Sequence, residues 1–495
     1  MSGFRRLEDT LEEATDGHEE PGVRVLNVKM LVAMIYFGVC GGITGSEGML
    51  SGFPPPTSLV IILVLPFLVG LPVLFVVAEL SIAMPEAGGF VHWAKKAFGK
   101  RVGFVCGIMN YVAMFLDTAL YPALFLEYLV SAFPGATATV EKSYVAGVLI
   151  KAAFAMLLNV LVLSGVQPAG KGAWVISILV LLPLVLLVVW GMFSPHMKWS
   201  NVVMGHQFHG NEAEDSNGRM LNYFNVLYWS FSAFDQASTV AGDISSPQKT
   251  FPRASTVSVL LISCTYLFPL VIAAGIIDDW RTVKAGSIQT VARIVGGEFL
   301  SGIVFLSSLF SCLGMYLTAL LEVIFVWLGM AELNMVHPVF RGRHPRTNVP
   351  YSSAIFTMTA IMLVSFFDFG GVLSLTNMFS AFCVLMTLAS AIAIRIYEPN
   401  FPRPYKTPLY DYGIVAYIAL LCPVILMNVV FLCMSMFYEK WMALAFLCIL
   451  IAVYAMSHDK ILLFCCRVKP PVVMKRDLHY DASVVESDDQ YQPTF

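Results

Sequence analysis

The chain of 495 residues is 58% hydrophobic and only 13% charged, with a mean hydropathy of +0.75, the composition of a polytopic α-helical membrane protein. That excludes a soluble domain with a large core, and nothing in the net charge of −3 points to nucleic acid. A membrane enzyme would need a nucleophile with its base or a metal set, yet the nine histidines fall mainly in loops and tails and no HExxH or GxSxG motif occurs, so no metal and no cofactor is expected.

Residues 1–28 are charged and loop-like, without the apolar core of a cleavable signal, and read as a cytoplasmic tail. Hydropathy then divides the chain into about twelve spans, each near the ~20 residues that cross the hydrocarbon. They fall at 29–50, 57–84, 102–131, 144–166, 173–193, 223–241, 254–276, 298–330, 352–367, 371–397, 413–436 and 440–456. Lysine and arginine cluster on one side: Arg5, Arg6, Arg24 and Lys29; Lys95, Lys96, Lys100 and Arg101; Lys249 and Arg253; Arg341, Arg343 and Arg346; Arg395, Arg403 and Lys406; and the C-terminal tail 457–495. The opposite loops carry scattered single cations such as Lys142, Lys198, Arg219 and Lys440, which places both termini in the cytoplasm.

The first span is interrupted by Gly41 Gly42 Ile43 Thr44 Gly45 Ser46 Glu47 Gly48. A continuous helix satisfies its own backbone, so glycines and an acid at membrane depth belong where the backbone unwinds around a polar cavity. Glu47 therefore points to a buried cation site. In the third span Asp117 and Tyr121 stand at i and i+4 on one helical face, with Pro122 bending the axis beyond them. The plain alternative for Asp117 is a structural hydrogen bond to a neighbouring helix.

The sixth span repeats the pattern of the first. Tyr228 to Gly242 is rich in small and polar residues, with Asp235 in mid-segment. Interrupted helices in corresponding positions of two halves are the sequence sign of an inverted-repeat transporter that binds its substrate at the midplane. The expectation is a first repeat over 29–193, a second over 223–397, and two appended spans over 413–456. Small residues also serve close helix packing, which is the competing reading where no acid accompanies them.

The charges favour one ligand class. A fixed carboxylate at Glu47 repels a substrate carboxylate and attracts an ammonium, and Asp117 and Asp235 add further anchors, which implies a guest with two or more ammonium groups. Tyr36, Tyr121, Trp229, Phe231 and Phe234 stand near the breaks, where rings could cover a methylene chain and bind cations on their faces. Each is also an ordinary packing or interface aromatic. Eight cysteines, Cys40, Cys106, Cys264, Cys312, Cys383, Cys422, Cys433 and Cys448, lie within spans and suit reduced thiols. Cys465 and Cys466, just past the last span, read as reduced thiols with palmitoylation as the alternative.

Several separated motifs agree in order with one family. Gly41 to Glu47, Glu79, Pro85 Glu86 Ala87 Gly88 Gly89, Asp117 to Pro122, Ala241 Gly242 Asp243, Pro247 to Pro252, Leu328 Gly329 Met330 Ala331 Glu332 and Arg403 to Pro408 closely resemble the polyamine uptake transporters of plants and trypanosomatid protozoa. These belong to the amino acid, polyamine and organocation superfamily, in the branch similar to L-type amino acid transporters. The resemblance runs from about Val28 to Tyr412. It implies an all-α membrane protein with the LeuT-type 5+5 inverted repeat and helices 1 and 6 broken. It also implies secondary uptake of polyamines or diamines such as putrescine, cadaverine and spermidine, by alternating access in the plasma membrane.

The substrate acids carried over are Glu47, Asp117 and Asp235, with Tyr121 and Phe234 beside them; Gly41, Gly42, Gly45, Ser232 and Tyr316 complete the expected pocket. Two positions depart from the family. Gly314 Met315 Tyr316 is followed by Leu317 where the plant carriers have an acid, and Phe234 stands where the family often has Trp. Coupling is expected to be to protons, through Glu47, Asp117, Asp235 or Glu322, in symport with the amine. Ser311 and Thr318 keep a sodium site as the alternative. Related carriers bond a single-span glycoprotein through a cysteine after span three; the loop Ser131–Tyr144 has none, so no such partner is expected. The competing functions are a cationic amino acid carrier and a polyamine receptor that moves nothing.

Overall fold

The computed structural model describes residues 25–132, 144–204, 216–364 and 369–457. The tails, with Cys465 and Cys466, and most of the loop after the third span lie outside the described residues. Within the described residues the regular structure is helical, apart from an isolated bridge between Leu26 and Ile244.

Helix α1 (Val28–Val39) opens with Asn27, whose side chain accepts from the Met30 amide at 3.1 Å, and ends where the glycine run begins. Gly41, Gly42 and Gly45 take φ of +57°, +99° and +78°, a backbone only glycine adopts without strain, so the helix cannot continue. A 3-10 turn at Glu47–Leu50 completes the span. Helix α2 (Pro55–Ala83) carries a π turn at Pro66–Gly70, seeded by a proline that cannot donate into the ladder. The amphipathic α3 (Gly89–Phe98) leads into α4 (Lys100–Ala132), α5 (Tyr144–Leu163) and α6 (Val166–Met192).

A short α7 (Trp199–Met204) precedes α8 (Ser216–Ser230), which breaks in turn into a 3-10 stretch, Ala233–Asp243. Helices α9 (Pro247–Ile276), α10 (Ser287–Glu332), α11 (Tyr351–Val364), α12 (Phe369–Tyr397), α13 (Gly413–Tyr438) and α14 (Lys440–Met456) follow. Among the described residues eight helices are long and apolar enough to cross a bilayer, and α1, α11 and α14 are shorter apolar helices. The two expected breaks are both present.

Boundaries differ where polar residues are helical. α6, α9 and α10 begin at Val166, Pro247 and Ser287, each at least seven residues before the apolar stretch that defined the span. Pro247 starts α9 because Ser246 is left-handed and a proline at the first helical position loses no hydrogen bond. α10 also kinks at Gly296 and Gly297, just before the expected span, the latter at φ +64°, ψ −159°.

Packing sorts the helices. α10 is buried along most of its length, whereas α5, α6 and α13 expose apolar side chains such as Leu157, Val160, Leu182 and Val415 to the lipid. The end of the bundle where α1 begins is tied by buried charge. Glu79 meets Arg403 at 3.1 Å and Arg395 at 3.2 Å and accepts from the Thr407 amide at 3.0 Å; Asp243 meets Arg343 at 3.3 Å and Asn348 at 2.8 Å.

Candidate functional site at the two helix breaks

Both breaks face α4 and α9, and those helices hold them open. The Tyr266 hydroxyl of α9 lies 3.0 Å from the Val39 carbonyl and 3.3 Å from the Ser230 carbonyl, so one side chain serves the last turns of α1 and α8 together. Ser230 donates to Ser46 at 2.9 Å, joining the second break to the first. The Ser311 hydroxyl of α10 donates to the Gly41 carbonyl, and Met315 packs on the same glycine.

One face of α4 carries the polar contacts. Asp117, Tyr121, Leu124 and Tyr128 follow the i, i+4, i+7, i+11 spacing that stacks side chains along a helix. Asp117 accepts from the Tyr121 hydroxyl at 2.6 Å and from the Trp229 indole N–H at 2.8 Å. The other side of the Trp229 ring, together with Leu124, closes on Gly45, where a Cβ would stand 3.1 Å from each. Tyr128 donates to Glu47 at 2.7 Å and accepts from the Gly45 amide at 3.0 Å.

Glu47 is buried and stands apart from the other acids. The Gly286 amide, in the turn leading into α10, donates to its Oε1 at 3.0 Å, and its Oε2 has no partner. A cavity of about 170 Å³ lined by Lys284, Gly286, Thr290 and Arg293 opens at that turn. Asp117 and Tyr128 are separated by about 16 Å along α4, so the acids occupy two levels. The second level holds Asp117, Asp235 and Glu322. All three are buried, and Glu322 lies within electrostatic range of both aspartates.

The remaining expected residues surround these levels. Phe234 rests on Gly70 at the π turn of α2, and Phe231 makes an edge contact with Tyr266 at 5.4 Å. Tyr36 is fully buried against Phe37, and Ser232 donates to the Trp229 carbonyl at 3.2 Å. Val180 and Ser311 border Gly42, while Tyr316 points to α5, donating to Asn159 at 2.9 Å. Thr318 is buried on α10 with its hydroxyl unpartnered. Sequence reasoning missed Tyr128, Tyr266 and Gly286. Tyr128 continues the Asp117 and Tyr121 face and could have been found by extending it; the other two carried no signal.

None of the ion pairs of the described residues involves Glu47, Asp117, Asp235 or Glu322. Four buried carboxylates without a basic partner make the region strongly attractive to cations and hostile to anions.

Comparison with known proteins gives this geometry its family. Residues 26–454 match the amino acid permease family. A probable polyamine transporter of Arabidopsis thaliana is 31% identical over 79% of this chain and 78% of its own length. The polyamine transporter RMV1 of the same plant is 29% identical over 82% and 80%, and the polyamine transporter PUT1 of Oryza sativa subsp. japonica 29% over 79% and 71%. The chain is therefore a multi-pass membrane transporter and not an enzyme, and it belongs to the amino acid permease family of the amino acid, polyamine and organocation superfamily.

Proposed function

We propose that the protein takes up polyamines, diamines such as putrescine and cadaverine foremost, by proton-coupled alternating access. The observation that carries this reading is the set of four buried acids around the breaks, none of them ion-paired among the described residues. A dication supplies the charge they lack, while an amino acid would bring its own carboxylate into the same field. The names of the relatives point the same way. Glu47 meets the arriving amine, Asp117 and Asp235 hold it, and Tyr121, Trp229, Phe231 and Phe234 cover its methylenes. Tyr36, Ser232 and the glycines of the first break line or shape the pocket, whereas Tyr316 turns to Asn159 of α5.

One of the acids exchanges a proton as substrate enters or leaves. The carrier works in the plasma membrane with both termini in the cytoplasm, without a disulfide-linked heavy chain. Purified protein in liposomes, given labelled putrescine with and without a pH gradient, tests this reading. Uptake driven by the gradient and competed by diamines more strongly than by arginine or lysine is the expected result. Equal competition by the amino acids would make it a cationic amino acid carrier, and binding without uptake a receptor.

A further inference from the structure

Glu322 is the acid with the least to hold it. It is fully buried on α10, and neither carboxylate oxygen has a hydrogen-bond partner. Its position is fixed by α1: a methyl group built on Gly38 would stand 3.6 and 3.7 Å from its two oxygens. Gly38 is in the last turn of α1, where unsatisfied carbonyls carry partial negative charge. The last turn of α8 arrives at the same place, since Tyr266 reaches Val39 and Ser230 together and its single proton serves one carbonyl at a time.

Two helix C-terminal ends thus meet beside Glu322, and Asp117 and Asp235 each lie within electrostatic range of it, with no ion pair reaching those acids among the described residues. Among the described residues no three acidic, histidine or cysteine side chains come close enough to hold a metal ion. Acids that act on Glu322 without gathering into a site for a point ion suit an elongated molecule with a positive charge at each end.

Resting on the polyamine reading above, we propose that Glu322 is a second ammonium-binding carboxylate, holding one end of a diamine at the C-terminal end of α1 while one of the two aspartates within its range, Asp117 or Asp235, holds the other. Selectivity then follows from the distance between the two amines. A monoamine of equal length satisfies one end and leaves the other carboxylate unpaired.

The test is competition against labelled putrescine by putrescine and by butylamine, measured on the full chain in proteoliposomes, with folding followed by thermal unfolding. In the unaltered protein the diamine should compete on the order of a hundredfold better than the monoamine. In Glu322→Gln that advantage should fall to under about tenfold, with the monoamine constant unchanged. Glu322→Asp withdraws the carboxylate and should move the preferred diamine one methylene longer, which decides the matter should the Gln variant fail to fold. A diamine advantage that persists in Glu322→Gln, an equal loss for both amines, or an unchanged length preference in Glu322→Asp overturns the assignment while leaving polyamine transport standing. No amine uptake by the unaltered protein would end both.

Discussion

Glu47 uses one oxygen and leaves the other free. Tyr128 and Gly286 donate to Oε1, so the side chain is oriented by the protein while Oε2 remains available to a guest. Glu47→Gln keeps the size and the accepting oxygen and removes the charge. Uptake of labelled putrescine should be lost, and the midpoint of thermal unfolding should stay within a few degrees, since a neutral amide is cheaper to bury than an unpaired charge. Full activity in that variant would remove the main support for amine binding here. Tyr128→Phe should cost about 1–3 kcal/mol in unfolding measurements, because the buried Gly45 amide loses its acceptor. At this scale the sequence was most readable where a residue was out of place: an acid in an apolar span announces itself as Glu47, Asp117, Asp235 and Glu322 do. Tyr128 and Gly286 are unremarkable in type and matter only through what the fold sets beside them.

The breaks are elements in their own right, held by side chains from other helices, and the first is made by backbone that only glycine adopts without strain. Gly45 shows both conditions, with φ of +78° and a Cβ position 3.1 Å from Leu124 and Trp229. Gly45→Ala should destabilise by about 1–3 kcal/mol in thermal unfolding and reduce uptake, because relief of the strain must move Trp229, which holds Asp117. Tyr266→Phe tests the other condition. Removing the hydroxyl leaves the Val39 and Ser230 carbonyls without their common donor, and a loss of about 1–3 kcal/mol with weaker putrescine competition is expected. An unchanged unfolding midpoint would show that water replaces the hydroxyl at no cost. The glycines and small residues made both interruptions legible. The helix starts were less so, since hydropathy registers the apolar part of α6, α9 and α10 and passes over their polar first turns. Gly297 likewise escaped notice, because with Gly296 it lies just before the expected span, in the first part of α10 that hydropathy passes over.

Across the whole molecule the two ends are closed by different means. Glu47 is capped at one end by the Gly286 peptide, a single hydrogen bond from a turn, whereas the end where α1 begins is joined by buried ion pairs. The asymmetry bears on transport. A neutral peptide donor can yield to an ammonium, which binds a carboxylate more strongly, while separating Glu79 from Arg395 and Arg403 exposes charges that lie almost entirely out of solvent. The sequence displayed these charges and the family motifs containing them, but their partners are over 300 residues apart and only the packing reveals the pairs. Glu79→Gln leaves both arginines without a counter-charge and should destabilise by about 3–5 kcal/mol. Hydrogen exchange distinguishes opening at this end from general loosening. Exchange should rise in the segment around Arg403 and Thr407 and at the end of α2, and stay unchanged at the start of α10, where Gly286 caps Glu47. The apparent affinity for putrescine should be preserved, because none of the acids at the breaks pairs with this cluster, while the rate of uptake changes. A uniform rise in exchange with a weakened affinity would instead make the cluster part of the general framework and deny it a separate role in closing that end.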